Sequence, residues 1–156
     1  MKTLREIQDE IIRKYNVTID EHSKCRGRMH AHIKSRKVCK WHPKSSLEAT
    51  FDLCHEIGHI MTTKTWMKRA EEEYYATIWA IDRFKEYGLE VPEHVMFVYQ
   101  RYILQEIARG MRRKGKGYWD MNIYKYAGID KTIPEFLTEL DKRWAACITP
   151  WIEQLY

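Results

Sequence analysis

Long apolar runs are missing from this sequence. The longest candidate, Trp144 to Ile152, spans nine residues and contains Pro150, far short of the roughly 20 a membrane helix needs. The opening stretch, MKTLREIQDE, has no apolar core of the kind a secretory leader carries, so none is expected. Cysteine is sparse: four, at positions 25, 39, 54 and 147, too scattered for a disulfide framework. The expected compartment is therefore the cytoplasm, with reduced thiols. Seven glycines and four prolines in 156 residues exclude collagen-like or linker-like character. Repeats and low-complexity tracts are absent. The length excludes a TIM barrel or a full dinucleotide-binding pair of halves.

What is present suits one domain, or one domain with a helical appendage. Hydrophobic residues make up 44% and charged residues 31%, enough to build a core. The net charge of +5 hides an asymmetry. Eight Lys or Arg and no acid lie between His22 and Leu47, and five more with no acid between Arg109 and Lys116. That leaves 14 of the 27 basic residues against all 22 acidic ones in the rest of the chain. Both basic segments read first as solvated surface. The sharper reading, for Lys24–Lys44 and Arg109–Lys116, is contact with an acidic partner or nucleic acid.

Local signals mark the elements. Thr3-Leu4-Arg5-Glu6 is a capping box, and Leu4, Ile7, Ile11 and Tyr15 recur at helical spacing, so residues 3–15 should form an amphipathic helix. Met29, Ala31 and Ile33 alternate with His30, His32 and Lys34, and a second short alternation includes Cys39 and Trp41. Together they suggest a β-hairpin turning near Lys34–Arg36. Ser45-Ser46-Leu47-Glu48 is a second capping box, opening a helix to about Thr62. Arg69 to Tyr87 reads as a third helix, closed by Gly88. Pro92 can open a fourth that stops near Gly110, and residues 118–127 a short fifth. Thr132-Ile133-Pro134-Glu135 opens a last one, which Pro150 should kink or end.

The sharpest signal is His55-Glu56-Ile57-Gly58-His59, inside the second helix. Residues four apart share a helix face, so two imidazoles one turn apart can bind one zinc ion, with Glu56 beside the metal and not on it. Zinc makes water a usable nucleophile near neutral pH and polarises a carbonyl. Glu56 would take the proton and later pass it to the leaving amine. The flanking Leu47, Phe51, Leu53, Cys54, Ile57, Ile60 and Met61 make the helix largely buried, where polar groups need a partner.

A catalytic zinc needs a third protein ligand and an open fourth position. Counting at about 100° per residue, Ala70, Ala76, Thr77, Ala80, Phe84 and Tyr87 fall within about 60° of Glu73. Glu71, Glu72, Asp82 and Glu86 fall about 100° or more away. Of the acids on this helix, Glu73 alone is central to the apolar face. The alternative is a Glu reaching over small alanines to solvent, or pairing with an Arg. Ala70, Ala76 and Ala80 would also let two helices approach closely. No His follows His59 until His94, so the compact three-histidine motif is absent.

The stretch Leu53-Cys54-His55-Glu56-Ile57-Gly58-His59-Ile60-Met61, followed by Glu73-x-x-Ala76-x-x-Trp79-Ala80, resembles the ImmA/IrrE-like metallopeptidases of prophages and mobile elements, over roughly residues 1–88. The 13 residues between His59 and Glu73 fit that pattern better than the longer spacing of thermolysin-like enzymes. The resemblance implies His55, His59 and Glu73 as zinc ligands and Glu56 as general base. It implies a small α+β, zincin-like domain, here residues 1–90; residues 91–156 read from their own helical pattern as a C-terminal extension packed on it. It also implies a narrow protein substrate, typically a helix-turn-helix repressor of a phage or mobile element. This chain departs from the pattern in its basic, histidine-rich β-region and in the helical chain after Gly88.

Weaker constellations accompany it. His22-x-x-Cys25 and Cys39-x-x-His42 have Cys₂His₂ composition, which suits a structural zinc. A tight hairpin turning at residue 35 would instead put Cys39 opposite Ala31 and leave His22 far away. His30 and His32 share a strand face and read as half-exposed strand residues, or as residues lining the cleft and steadying an oxyanion. Cys54 reads as a small core residue. Trp144, Trp151 and Tyr156 read as core or helix-packing residues, or as a docking surface. The competing function is a non-catalytic zincin scaffold that binds a protein or nucleic acid as an anti-defence or regulatory factor. The intact Glu56 favours the enzyme, and the basic, aromatic C-terminal region favours the binding factor.

Overall fold

A computed structural model describes residues 2–22, 29–39, 41, 44–114 and 121–127; for Ala108, 111–114, Met121 and Tyr124 it describes the backbone alone. In chain order these residues form α1 (Leu4–Lys14), β1 (Thr18–Asp20), β2 (His30–His32), β3 (Lys37–Cys39), α2 (Leu47–Thr62), α3 (Arg69–Glu86), α4 (Glu93–Lys114) and α5 (Met121–Tyr126). The architecture is mixed α+β, as expected.

Helix ends follow side-chain chemistry. At α1 the Thr3 hydroxyl accepts from the Glu6 N–H, and the Glu6 carboxylate accepts from the Thr3 N–H at 2.7 Å, a reciprocal box. At α2 the cap is Ser46 and not Ser45: its hydroxyl accepts from the Ala49 N–H at 3.2 Å. That placement lets the Thr50 hydroxyl donate to the Ser46 carbonyl at 2.8 Å. α3 ends in a Schellman motif. Gly88 takes φ +66, its N–H donates to Lys85 O, and the Leu89 N–H reaches back to Phe84 O at 2.8 Å, satisfying carbonyls the helix leaves open. α4 starts from the Pro92 carbonyl, which accepts from the Met96 N–H. It does not stop at Gly110 but continues to Lys114. One interior glycine disfavours a helix by only about 1 kcal/mol, and Met, Arg and Lys after it are good helix formers. The basic residues 111–114, expected beyond the helix stop near Gly110, are therefore helical.

The sheet has order β1-β3-β2, with β1 parallel and β2 antiparallel to β3. The β2–β3 hairpin is the one the alternation predicts; β1 is an addition to it. The hairpin register also differs from the sequence reading: Cys39 pairs with His30, and Ala31 with Val38. A one-residue slip moves a side chain to the other face of a sheet, so Cys39 shares the face of His30 and His32. The turn ends at Arg36, whose φ of 51 lies in the left-handed region, unfavourable for an L-residue with a side chain by about 1–2 kcal/mol. Its guanidinium donates to Tyr15 O and, at 3.3 Å, to Asn16 O, which offsets that strain and fastens the turn to the end of α1.

The chain forms two compact units, Met1–Met67 with Glu72–Met96 and Lys68–Glu71 with Phe97–Tyr156. In the first, Ile7 and Ile11 of α1, Val38 of β3, Phe51, Leu53 and Ile57 of α2, and Ala76, Ala80 and Phe84 of α3 are buried. Phe51 and Phe84 meet edge to face at 5.2 Å, and Tyr15 and Trp79 at 4.8 Å. In the second, Ile103, Leu104 and Ile107 of α4 and Ile123 of α5 are buried. Among the described residues no helix is long and apolar enough to cross a membrane. Cys25, His42, Cys147, the helix expected from Thr132, and Trp144, Trp151 and Tyr156 lie outside the described residues.

Candidate metal centre

Two helices build the site, and a glycine sets their spacing. A Cβ at Gly58 would lie 2.6 Å from Ala76 O and 2.9 Å from Ala76 Cα. α2 and α3 therefore touch backbone to backbone at that point, which only glycine permits. His55 and His59 flank Gly58 on α2, and Glu73 lies one turn before Ala76 on α3. All three side chains are buried.

Their polar atoms converge. His55 Nε2 lies 3.1 Å from Glu73 Oε2, His59 Nε2 lies 3.1 Å from His55 Nε2, and His59 Nε2 lies 3.4 Å from Glu73 Oε2. Donor atoms about 2.0–2.1 Å from a tetrahedral metal sit about 3.3 Å from one another, so the triangle matches one face of such a site. Glu73 does not reach over its alanines to solvent. Burial pushes its carboxyl up, but hydrogen bonding with His55 and His59 outweighs burial and holds it well below the usual carboxylate range.

Thr77 decides what His55 offers. Its hydroxyl donates to the Glu73 backbone carbonyl at 2.7 Å and lies 3.3 Å from His55 Nδ1. With the hydroxyl proton committed, its oxygen accepts from His55 Nδ1–H, so in the neutral ring Nε2 carries a lone pair. That lone pair faces a carboxylate oxygen. An N–H on His59 Nε2, 3.1 Å from His55 Nε2, or a cation at the centre of the triangle would satisfy the cluster. Two imidazoles and one carboxylate, with an outer hydroxyl fixing the ring, are a donor set that could hold a metal ion. Thr77 is visible in the sequence only as a member of the apolar face of α3. Its position one turn after Glu73 is the available signal.

Glu56 is half-buried beside this cluster on α2, while His55 and His59 on either side of it are buried. Cys54 is fully buried and burial pushes its thiol up to about 12, so it is a core residue and not a nucleophile. Among the described residues one further group of potential metal ligands occurs, His30, His32 and Cys39. His22 is exposed and is not part of it. Comparisons with family models, with curated proteins and with solved structures find no match to this chain.

Proposed function

We propose that this chain is a zinc-dependent endopeptidase of the ImmA/IrrE-like kind, with His55, His59 and Glu73 as ligands and Glu56 as general base. The observation that carries the reading is the buried triangle of His55 Nε2, His59 Nε2 and Glu73 Oε2, with sides of 3.1–3.4 Å. When bound, zinc would supply Lewis acidity that polarises a peptide carbonyl and lets water lose a proton near neutral pH. The chain's own residues do the rest. Thr77 holds the His55 ring, and the backbone contact at Gly58 holds Glu73 against α2. Glu56 takes a proton from water and returns it to the leaving amine. The helix that carries the histidines is itself buried, with Phe51, Leu53 and Ile57 fully so.

The substrate in this reading is a regulatory protein, a helix-turn-helix repressor of a phage or mobile element. The basic segments at Lys24–Lys44 and Arg109–Lys116 would steer an acidic partner or a DNA-bound repressor. A cytoplasmic location fits the free thiols of Cys39 and Cys54.

The test has two arms. Elemental analysis of the purified protein should show one zinc equivalent lost in both His59→Ala and Glu73→Ala. Mapping of new protein N-termini in cells expressing the wild type should reveal cleavages that disappear in Glu56→Gln, which keeps its metal. Zinc content unchanged by both ligand variants, or biological activity unchanged in Glu56→Gln, would overturn the reading.

A further inference from the structure

A second donor cluster lies on the sheet, outside the centre described above. His30 and His32 stand two apart on β2 and project from one face. The observed register sets Cys39 of β3 directly opposite His30, so the thiol joins that face. The two imidazoles lie 5.4 Å apart at 52° to each other. One donor atom from each of His30, His32 and Cys39 lies within 4.8 Å of the other two. Asp20, the β1 neighbour of Cys39 in the register, extends the row with a carboxylate. The burial is graded: Cys39 is 2% exposed, His30 is half-buried and His32 is exposed. A small ion would approach from the His32 side and meet the thiol at the bottom.

We propose that His30, His32 and Cys39 form a second metal site, distinct from the α2–α3 centre, for a thiophilic divalent transition ion such as zinc. One thiolate and two imidazoles suit zinc or cobalt and disfavour calcium or magnesium, which take oxygen ligands. Bond lengths of about 2.0 Å to nitrogen and 2.3 Å to sulfur need donor atoms roughly 3.3–3.6 Å apart. The exposed His32 side chain is free to close that gap. Binding releases the thiol proton to solvent. The ion would tie β2 to β3, strands of three residues each, at the short limit of what pairing alone holds. Solvent completes the coordination.

Cobalt titration of the full-length, chelator-stripped protein, under reductant and without oxygen, separates the two centres. A cobalt–thiolate bond gives a near-ultraviolet charge-transfer band, and the His55–His59–Glu73 centre has no sulfur to produce one. The wild type should take up two equivalents and show the band. Cys39→Ser should lose the band and one equivalent while keeping the visible absorption of the other centre. His59→Ala should lose one equivalent and keep the band. Because Cys39 is buried and its replacement can disturb folding, His32→Ala at the exposed rim supplies the second variant. It should weaken the band-forming equivalent at least tenfold with unchanged circular dichroism. No band in the wild type, a band that survives in Cys39→Ser, or an affinity unmoved by His32→Ala would overturn the proposal. None of these results bears on the α2–α3 centre, which His59→Ala reports separately.

Discussion

Thr77 ligates nothing in the proposed centre, yet its hydroxyl selects which nitrogen of His55 faces Glu73. Removing that hydroxyl frees the ring to rotate or to change tautomer. Outer partners of this sort typically contribute 10–100-fold to metal affinity. Thr77→Val, close in volume, should therefore weaken metal binding by about that factor while the fold stays intact, and Thr77→Ser should restore it. Competition with a chromophoric chelator measures both, and equal affinity in all three proteins would remove Thr77 from the site. Gly58 acts through space alone. Alanine there would ordinarily favour a helix by about 1 kcal/mol. Here the new methyl meets backbone of Ala76 at 2.6 Å, and backbone cannot swing aside as a flexible side chain would. Overpacking typically costs about 1–3 kcal/mol, so Gly58→Ala should lower thermal stability. It should also weaken metal binding, because separating α2 from α3 separates the histidines from Glu73. A stabilised Gly58→Ala protein with full affinity would show that the helices do not need this contact.

Elements fixed by local chemistry are legible in the sequence; elements fixed by distant partners are not. The Thr3–Glu6 box and the Gly88 stop act within one turn, and α1 and α3 end within a residue of where the pattern puts them. Gly88 gives a clean check. Its φ is +66 and a Cβ there would meet nothing within 4 Å, so Gly88→Ala should lose only the roughly 1–2 kcal/mol of left-handed strain. Metal affinity should stay unchanged, in contrast to Gly58→Ala, and a urea midpoint read beside a metal titration tests the contrast. β1 escapes the sequence pattern because three residues carry little periodicity and its partner β3 lies beyond β2 in the chain. The hairpin register differs by one because His30, Ala31 and His32 fit either face. Both assignments depend on pairing across the sheet, which no single segment encodes. The face of α3 is legible because helical periodicity over its 18 residues leaves one acid among the small apolar residues. Gln8 is hidden for the opposite reason: one polar residue on an amphipathic helix reads as surface. It is fully buried, and its amide donates to Lys44 O at 2.8 Å and Thr50 Oγ1 at 2.7 Å. Gln8→Ala strands those acceptors, and losing buried partners costs about 1–3 kcal/mol. Calorimetry should show that loss with the metal site unaffected.

At the scale of the whole molecule the α2–α3 centre belongs to one compact unit, since His55, His59 and Glu73 all fall within Met1–Met67 and Glu72–Met96. An ion that binds this folded unit and not the unfolded chain stabilises it by mass action, by about 2.7 kcal/mol at a free concentration 100 times Kd. For a chain of this size each kcal/mol moves a melting midpoint by roughly 2–4 °C. Stripping that ion with a chelator should therefore lower the midpoint by roughly 5–11 °C, any further drop belonging to the sheet site, and adding zinc back should restore it. The ligand variants locate the effect. Glu73→Ala should remove the part due to the α2–α3 centre, because without the carboxylate the two imidazoles hold the ion weakly. Cys39→Ser should remove only the part due to the sheet. Glu56→Gln should melt with the same metal dependence as the wild type, since Glu56 lies beside the ligands and is not one of them. A midpoint indifferent to chelator in the wild type would mean that His55, His59 and Glu73 are held by protons instead of a metal. In that case Glu73, whose carboxyl His55 and His59 hold below the usual carboxylate range, adds stability that is present above that range and is lost as the pH falls through it. The response of the wild-type midpoint to chelator is therefore the discriminating measurement between the two ways of satisfying the same three atoms.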